Sequence, residues 1–313
     1  MNYRVDFLYY RCFIQKPLAL QGGLQVLPLR PSSMAGEIST ARRLLQEGGL
    51  RFTSKDLKNH TANFAQLGHS ALLRFPTTQA NSYPEAIEQR EKEAEVVSGA
   101  LSVLSANPAI PFCAYAASEN NYGVKYYFPP DRVIRHGTNI HGFLDAFPAV
   151  VGAAMNDEKL ALLLRLYQAS LREPDSDHQM LFQLILLEEA SDTSDGASFA
   201  ERLRNFCLEY SLLGDLDFIA SDLQFSLPDD KDMVDVLVKL RNCAAHNGRI
   251  DRETLRDFNG EWLFPLIDEK GKLPRLVGET IRYMFSCLVG HSRDEWATRI
   301  GLGPGESFAI TTD

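Results

Sequence analysis

The sequence has no Cys-x-x-Cys pair, no Gly-rich phosphate loop and no uninterrupted apolar run approaching about 18 residues. Its five cysteines, Cys12, Cys113, Cys207, Cys243 and Cys287, are odd in number and far apart. With no Cys/His cluster at zinc-ligand spacing, they read as reduced, mostly buried thiols, and no metal is expected. The missing apolar run argues against a spanning helix, and "MNYRVDFLYYRCF" has no basic segment leading into an unbroken apolar one. The expectation is a soluble cytoplasmic protein with no cleaved signal and no membrane partner. GxGxxG, P-loop, GxSxG and HExxH patterns are absent too, so nucleotide-dependent and serine-nucleophile chemistry have no foothold and no cofactor is expected. Positive charge is in short supply, 32 Lys+Arg against 41 Asp+Glu. The surface as a whole is therefore no trap for polyanions, and nucleic-acid binding would need a local basic patch.

What is there suffices for two cores. The chain has 313 residues and 45% hydrophobic content, enough for two ordinary domains or one with large insertions. Residues 1–145 mix short strand-like runs ("YRVDFLYYRCFI", "GGLQVLPLR", "SALLRFPT", "IPFCAYAA", "GVKYYFPP") with one long helical pattern from Pro84 that carries Ile87, Ala94, Val97, Leu101 and Leu104. An α+β domain of recognition or regulatory type is expected there. Residues 146–298 turn helical, with breaks near Pro148 and at Asn156-Asp157. Further helical patterns follow in "HQMLFQLILLEEAS", "SFAERLRNFCLEYSLL", "KDMVDVLVKLRNCAAHN" and "LPRLVGETIRYMFSCLVGH", so this half reads as a helical bundle. Residues 299–313 are Gly/Pro-rich and read as an irregular tail. No internal repeat or low-complexity tract is present.

One helical segment carries a chemical pattern. "LPDDKDMVDVLVKLRNCAAHNGRID" has start signals in Pro228, Asp229 and Asp230 and a stop signal in Asn247-Gly248. At about 100° per residue, Met233, Val236, Leu237, Leu240 and Ala244 form a core stripe with Cys243 at its margin. Asp235, Asn242, His246 and Arg249 lie opposite, Lys239 is beside them, and Arg241 stands at the border. Asn242 and His246 are neighbours at i, i+4, whereas Arg241 and His246 meet only through side-chain reach. Spacing alone says little, because an Arg and a His at such a separation arise about once by chance in a chain this long. "RHGTNIH", with Arg135 and His141, shows a similar spacing where Gly137 and Asn139 disfavour a helix.

"LRNCAAHNG" resembles the signature of the HEPN superfamily, an Arg with a polar neighbour and a His after four to six intervening residues. Arg241, Asn242 and His246 match it. "LALLLRLYQASLREPDSDHQMLFQLILLEEAS" is similar to the opening helical pair of several HEPN families, with an acidic residue at the position of Glu188 or Glu189. The resemblance spans about Met155 to His291, nearest to the Apea-like and abortive-infection groups, and covers nothing in the first half. It implies a HEPN-like helical bundle that dimerises with its motif helices facing each other, and metal-independent endoribonuclease activity in many members, often in toxin or anti-phage defence systems. Such members act on RNA, and a regulatory partner or antitoxin is then possible. Other members are inactive and only bind RNA or protein.

The residue types suit the implied reaction. Attack of a ribose 2′-hydroxyl on the adjacent phosphate needs a proton acceptor, a cation for the pentacoordinate state and a proton donor for the leaving oxygen. Imidazole titrates near neutral pH, so His246 is the acid/base candidate. Arg241 offers a forked permanent charge for phosphate, and Asn242 would orient one or the other. Lys239, Arg249 and Arg252, with Arg256, are candidates for substrate binding, diluted by Asp235, Asp251 and Glu253. Glu188 or Glu189 is expected to support Arg241 by pairing inside the bundle rather than to act on substrate.

Other constellations are weaker. "LLEEASDTSDG" does not fit a calcium loop and reads as a solvated turn. His60 and His69 have no third ligand nearby. The aromatic residues Tyr115, Tyr122, Tyr126, Tyr127 and Phe128 are expected to pack on strands and are assigned no site role.

Overall fold

The computed structural model describes residues 1–10, 14, 17–29, 70–105, 108–127, 147–173, 175–191, 196–209, 213–269 and 271–288. Cys12, His60, His69, the "RHGTNIH" segment, Phe128 and the tail lie outside these residues. The chain divides into two compact units, Met1–Ala161 and Leu162–Asp313.

The first unit contains β1 (Asn2–Tyr10), β2 (Leu18–Ala19), β3 (Gln25–Leu29), β4 (Ser70–Arg74), β5 (Thr78–Gln79), α1 (Tyr83–Ser105), β6 (Ile110–Ala117), β7 (Tyr122–Tyr126) and α2 (Phe147–Asn156). The sheet runs β2-β3-β4-β1-β6-β7, with β5 also on β1, and its described pairings are antiparallel. Strand β1 is central, pairing with β4 along one edge and β6 along the other, and its residues Val5 to Tyr9 are buried. Tyr3, Val5, Phe7 and Tyr9 form one face by the period of two, and Asp6 and Leu8 belong to the other. The Tyr9 hydroxyl donates to the Ala94 carbonyl of α1 at 3.0 Å and accepts from Ser98 at 2.8 Å, which places α1 over the aromatic face. Ile87, Ala94, Val97 and Leu101 of α1 are buried, as their helical spacing predicts, and α2 packs on α1.

Two local devices shape this sheet. Asp6, with no exposed surface, lies in register with Arg74, whose guanidinium donates to it at 3.0 and 3.2 Å, so a carboxylate in the sheet interior is charge-paired. Gly123 of β7 admits the Tyr83 ring, whose nearest atom would stand 2.2 Å from a Cβ at that position. Any larger residue there would expel the ring that opens α1.

After α2 the chain breaks at Asp157, whose carboxylate accepts from Lys159 N at 2.9 Å and Leu160 N at 3.1 Å. That contact starts α3 (Glu158–Arg172), within which the division between the units falls. The second unit continues with α4 (Ser176–Ala190), α5 (Phe199–Glu209), α6 (Leu213–Asp222), α7 (Met233–Asn247), α8 (Arg252–Asp257), a 3-10 turn Glu261–Leu263, α9 (Phe264–Asp268) and α10 (Lys272–Leu288). Among its described residues every regular element is helical. Helix α7 packs against α4, α5, α6 and α8, and α4 also packs against α10. Helices α6, α8 and α9 go beyond the helical segments read from sequence, being only 10, 6 and 5 residues long. The chain is thus α+β, with an antiparallel sheet in the first unit and helices in the second. No helix among the described residues is long and apolar enough to cross a membrane.

Candidate functional site

Helix α7 is delimited by chemistry at both ends. Asp232 is its N-cap: the carboxylate accepts from Asp235 N at 3.0 Å, while Asp235 accepts from Asp232 N at 3.1 Å. Asp229 and Asp230 therefore sit in a turn ahead of the helix, closed by Lys231 N to Pro228 O at 2.9 Å, and the helix begins later than those acids signal. At the other end Gly248 takes the left-handed conformation, φ 68°, with its N–H on the Ala244 carbonyl.

Between these ends Met233, Val236, Leu237, Leu240, Cys243 and Ala244 are buried, and so is Val234, which lies outside the stripe drawn from sequence. The extra burial follows from the position of α7, with helices on several sides rather than one. Burial raises the Cys243 thiol to about 11, and its sulfur faces the Thr254 carbonyl at 3.7 Å. It is a packing group with little thiolate near neutral pH.

Arg241 is half-buried and reaches α4. Its Nε donates to Glu188 at 3.2 Å, and its Nη2 donates to the two carboxylate oxygens at 3.1 and 2.9 Å. The remaining nitrogen, Nη1, donates to the Asn242 side-chain oxygen at 3.5 Å. The Phe199 ring of α5 lies 5.8 Å from the guanidinium carbon. Glu188 also receives Arg202 of α5 at 3.3 Å, so one carboxylate joins two arginines from different helices. Glu189, the next residue along, is half-buried and has no ion pair among the described residues.

His246 is exposed in the last turn of α7. Its imidazole stacks on Phe258, centroids 5.5 Å apart and planes 26° from parallel. Lys239, Asn242 and His246 are at i, i+3 and i+7, hence on one stripe. The Lys239 ammonium donates to the Phe258 carbonyl, so α7 meets the end of α8 at two points of that stripe.

The remaining basic candidates are engaged locally. Arg249 pairs with Asp251 at 2.9 Å and Glu253 at 3.1 Å. Arg252 pairs with Asp268 at 2.9 Å, and its guanidinium carbon lies 4.7 Å from the Phe264 ring centroid. Arg256 approaches the same ring at 5.5 Å. This surface is a mosaic of paired charges more than a free basic patch. Among the described residues no group of three or more His, Cys, Asp and Glu is placed to hold a metal ion.

Sequence reasoning missed Arg202, Phe199 and Phe258. Arg202 and Phe199 lie in "SFAERLRNF", and nothing in their spacing points at Glu188. A weak signal existed for Phe258, an aromatic residue directly after the Asp251-capped helix that follows the motif.

Comparison of the chain with protein-family models, with curated proteins and with solved structures finds no match in any of the three. The functional reading therefore rests on the residues of α7 and their neighbours.

Proposed function

We propose that the chain is a metal-independent endoribonuclease of HEPN type, with Arg241, Asn242 and His246 as the working groups. The observation that carries the reading is the placing of these three residues within two turns of α7. Arg241 donates to the Asn242 oxygen, and Asn242 shares an outward stripe with an exposed imidazole.

In this reading Arg241 contacts a phosphodiester through its Nη1 edge and spreads the charge that develops on the phosphorane. His246 takes the 2′-hydroxyl proton or returns one to the departing 5′-oxygen. Each α7 offers one histidine, so simultaneous acid and base catalysis calls for a second copy of the chain, a homodimer formed through the helical unit. Lys239, Arg249 and Arg252 would meet flanking phosphates after exchanging their present partners. A cytoplasmic toxin or anti-phage role, with a regulatory partner or antitoxin and the first unit as sensor, extends the same proposal.

A second reading has an observation of its own. Two of the three guanidinium nitrogens of Arg241 are committed to Glu188, which suits a structural ion pair in a catalytically inactive dimer that binds RNA or protein.

The test is cleavage of bulk and transfer RNA by purified protein in excess chelator, beside folded Arg241→Ala and His246→Ala variants. The nuclease reading expects each variant to lose about a hundredfold or more in rate, the scale of a lost acid–base or charge-stabilising group. Cleavage retained in both variants, or absent from the wild type, would leave the binding module as the better account.

A further inference from the structure

The stack on Phe258 carries an inference beyond the three motif residues. His246 is exposed, and among the described residues its ring contact is Phe258, at 5.5 Å between centroids and 26° between planes. An exposed histidine side chain ordinarily samples several rotamers. A flat ring alongside removes some of them while leaving both imidazole nitrogens available for hydrogen bonds.

Phe258 is itself held firmly. It is the C-cap of α8, with its N–H on the Leu255 carbonyl at 3.2 Å. Lys239, two turns before His246 on the same stripe, donates to its carbonyl. The chain then turns through Asn259, φ 53°, and Gly260 donates to Leu255 O at 2.7 Å. A Cβ on Gly260 would stand 3.0 Å from the Leu255 side chain and 3.3 Å from Cγ of Lys239, so the turn lies tight against α7. The Phe258 backbone is therefore held by α8 and clamped to α7, which fixes the point from which its half-buried ring extends to His246.

We propose that Phe258 is a positioning residue for His246, setting the plane of the imidazole for proton transfer while touching no substrate itself. This rests on the ribonuclease reading for its catalytic consequence, but the geometric part stands apart from it. A ring that limits the histidine to one plane keeps its nitrogen near the reacting oxygen, and small misplacements of such groups are costly in rate.

The experiment combines spectroscopy and kinetics on the full-length protein. In the wild type, the carbon-bound imidazole protons of His246, assigned by their loss in His246→Ala, are expected to show a ring-current displacement. Phe258→Leu is expected to abolish that displacement and Phe258→Tyr to keep it. With RNA, Phe258→Leu is expected to lower kcat by about tenfold to a hundredfold with KM nearly unchanged, and Phe258→Tyr to restore it. Phe258→Leu is expected to add nothing in a His246→Ala background.

Absence of the ring-current displacement in the wild type overturns the proposal without any variant, as does an unchanged kcat in folded Phe258→Leu. A wild type that does not cut RNA sinks the nuclease reading alone, and the spectra still decide whether Phe258 holds the imidazole.

Discussion

Glu188 is the residue on which the site's electrostatics turn. It faces Arg241 and Arg202, with side chains 29%, 29% and 17% exposed in the order Glu188, Arg241, Arg202. Removing the carboxylate would leave two guanidinium groups near each other with their shared counter-charge gone. Glu188→Ala is expected to cost about 1–3 kcal/mol, above a surface pair and below a buried one, because the groups are partly screened. Urea denaturation would measure it, with Glu188→Gln intermediate because its oxygen still accepts one hydrogen bond. An unchanged midpoint in Glu188→Ala would show that solvent already screens the triad. The same variant frees the Arg241 fork, so the nuclease reading expects tighter RNA binding per folded molecule.

At the scale of elements, α8 is the support of the candidate site although it spans only Arg252–Asp257. A helix this short has little stability of its own, so its cap and its packing decide whether it persists. Asp251 accepts from Thr254 N at 2.8 Å, and Thr254 answers by accepting from Asp251 N at 3.0 Å. The Thr254 N–H is also the main reason that the Asp251 carboxyl titrates below its ordinary value. A depressed acid adds stability that is complete above the ordinary aspartate range and lost as pH falls through the folded value. Asp251→Ala is expected to cost about 1 kcal/mol. It should also erase part of the acid sensitivity below about pH 4, where aspartates ordinarily titrate. Thermal unfolding of both proteins across pH 3–6 would check this, the two curves converging at the acid end. Curves that stay parallel throughout would mean that Asp251 does not carry the acid sensitivity.

At the scale of the whole molecule, charge is the controlling quantity. The chain carries a net −9, and the cations near α7 already have partners in Phe258, Asp251, Glu253 and Asp268. Binding of single-stranded RNA should therefore release few counterions. The logarithm of affinity is expected to fall with the logarithm of salt at a slope no steeper than about −2, equivalent to two or three neutralised phosphates. Measurement from low to moderate salt would show it. A much steeper slope would mean that more cations than Lys239, Arg249 and Arg252 act on the backbone.

The legibility of this chain differed by feature, for physical reasons. Helix α7 could be read almost to its ends because a core stripe, an acidic start and an Asn-Gly stop all act within a few residues of one another. Its first residue is not set by residue type, since Asp229, Asp230 and Asp232 are equally good caps, and only the hydrogen bond from Asp235 N chooses Asp232. Helices α8 and α9, of 6 and 5 residues, show too few turns for a period. The sequence by itself determined the α+β character, the strands around β1, the long helices, and the outward placing of Asn242 and His246, since these depend on spacing along the chain. Tertiary structure decided that Glu188 holds Arg241, that Arg202 shares the carboxylate and that Phe258 lies against His246. Those contacts join residues 53, 14 and 12 positions apart, and the packing of separate helices, not local periodicity, sets such pairings.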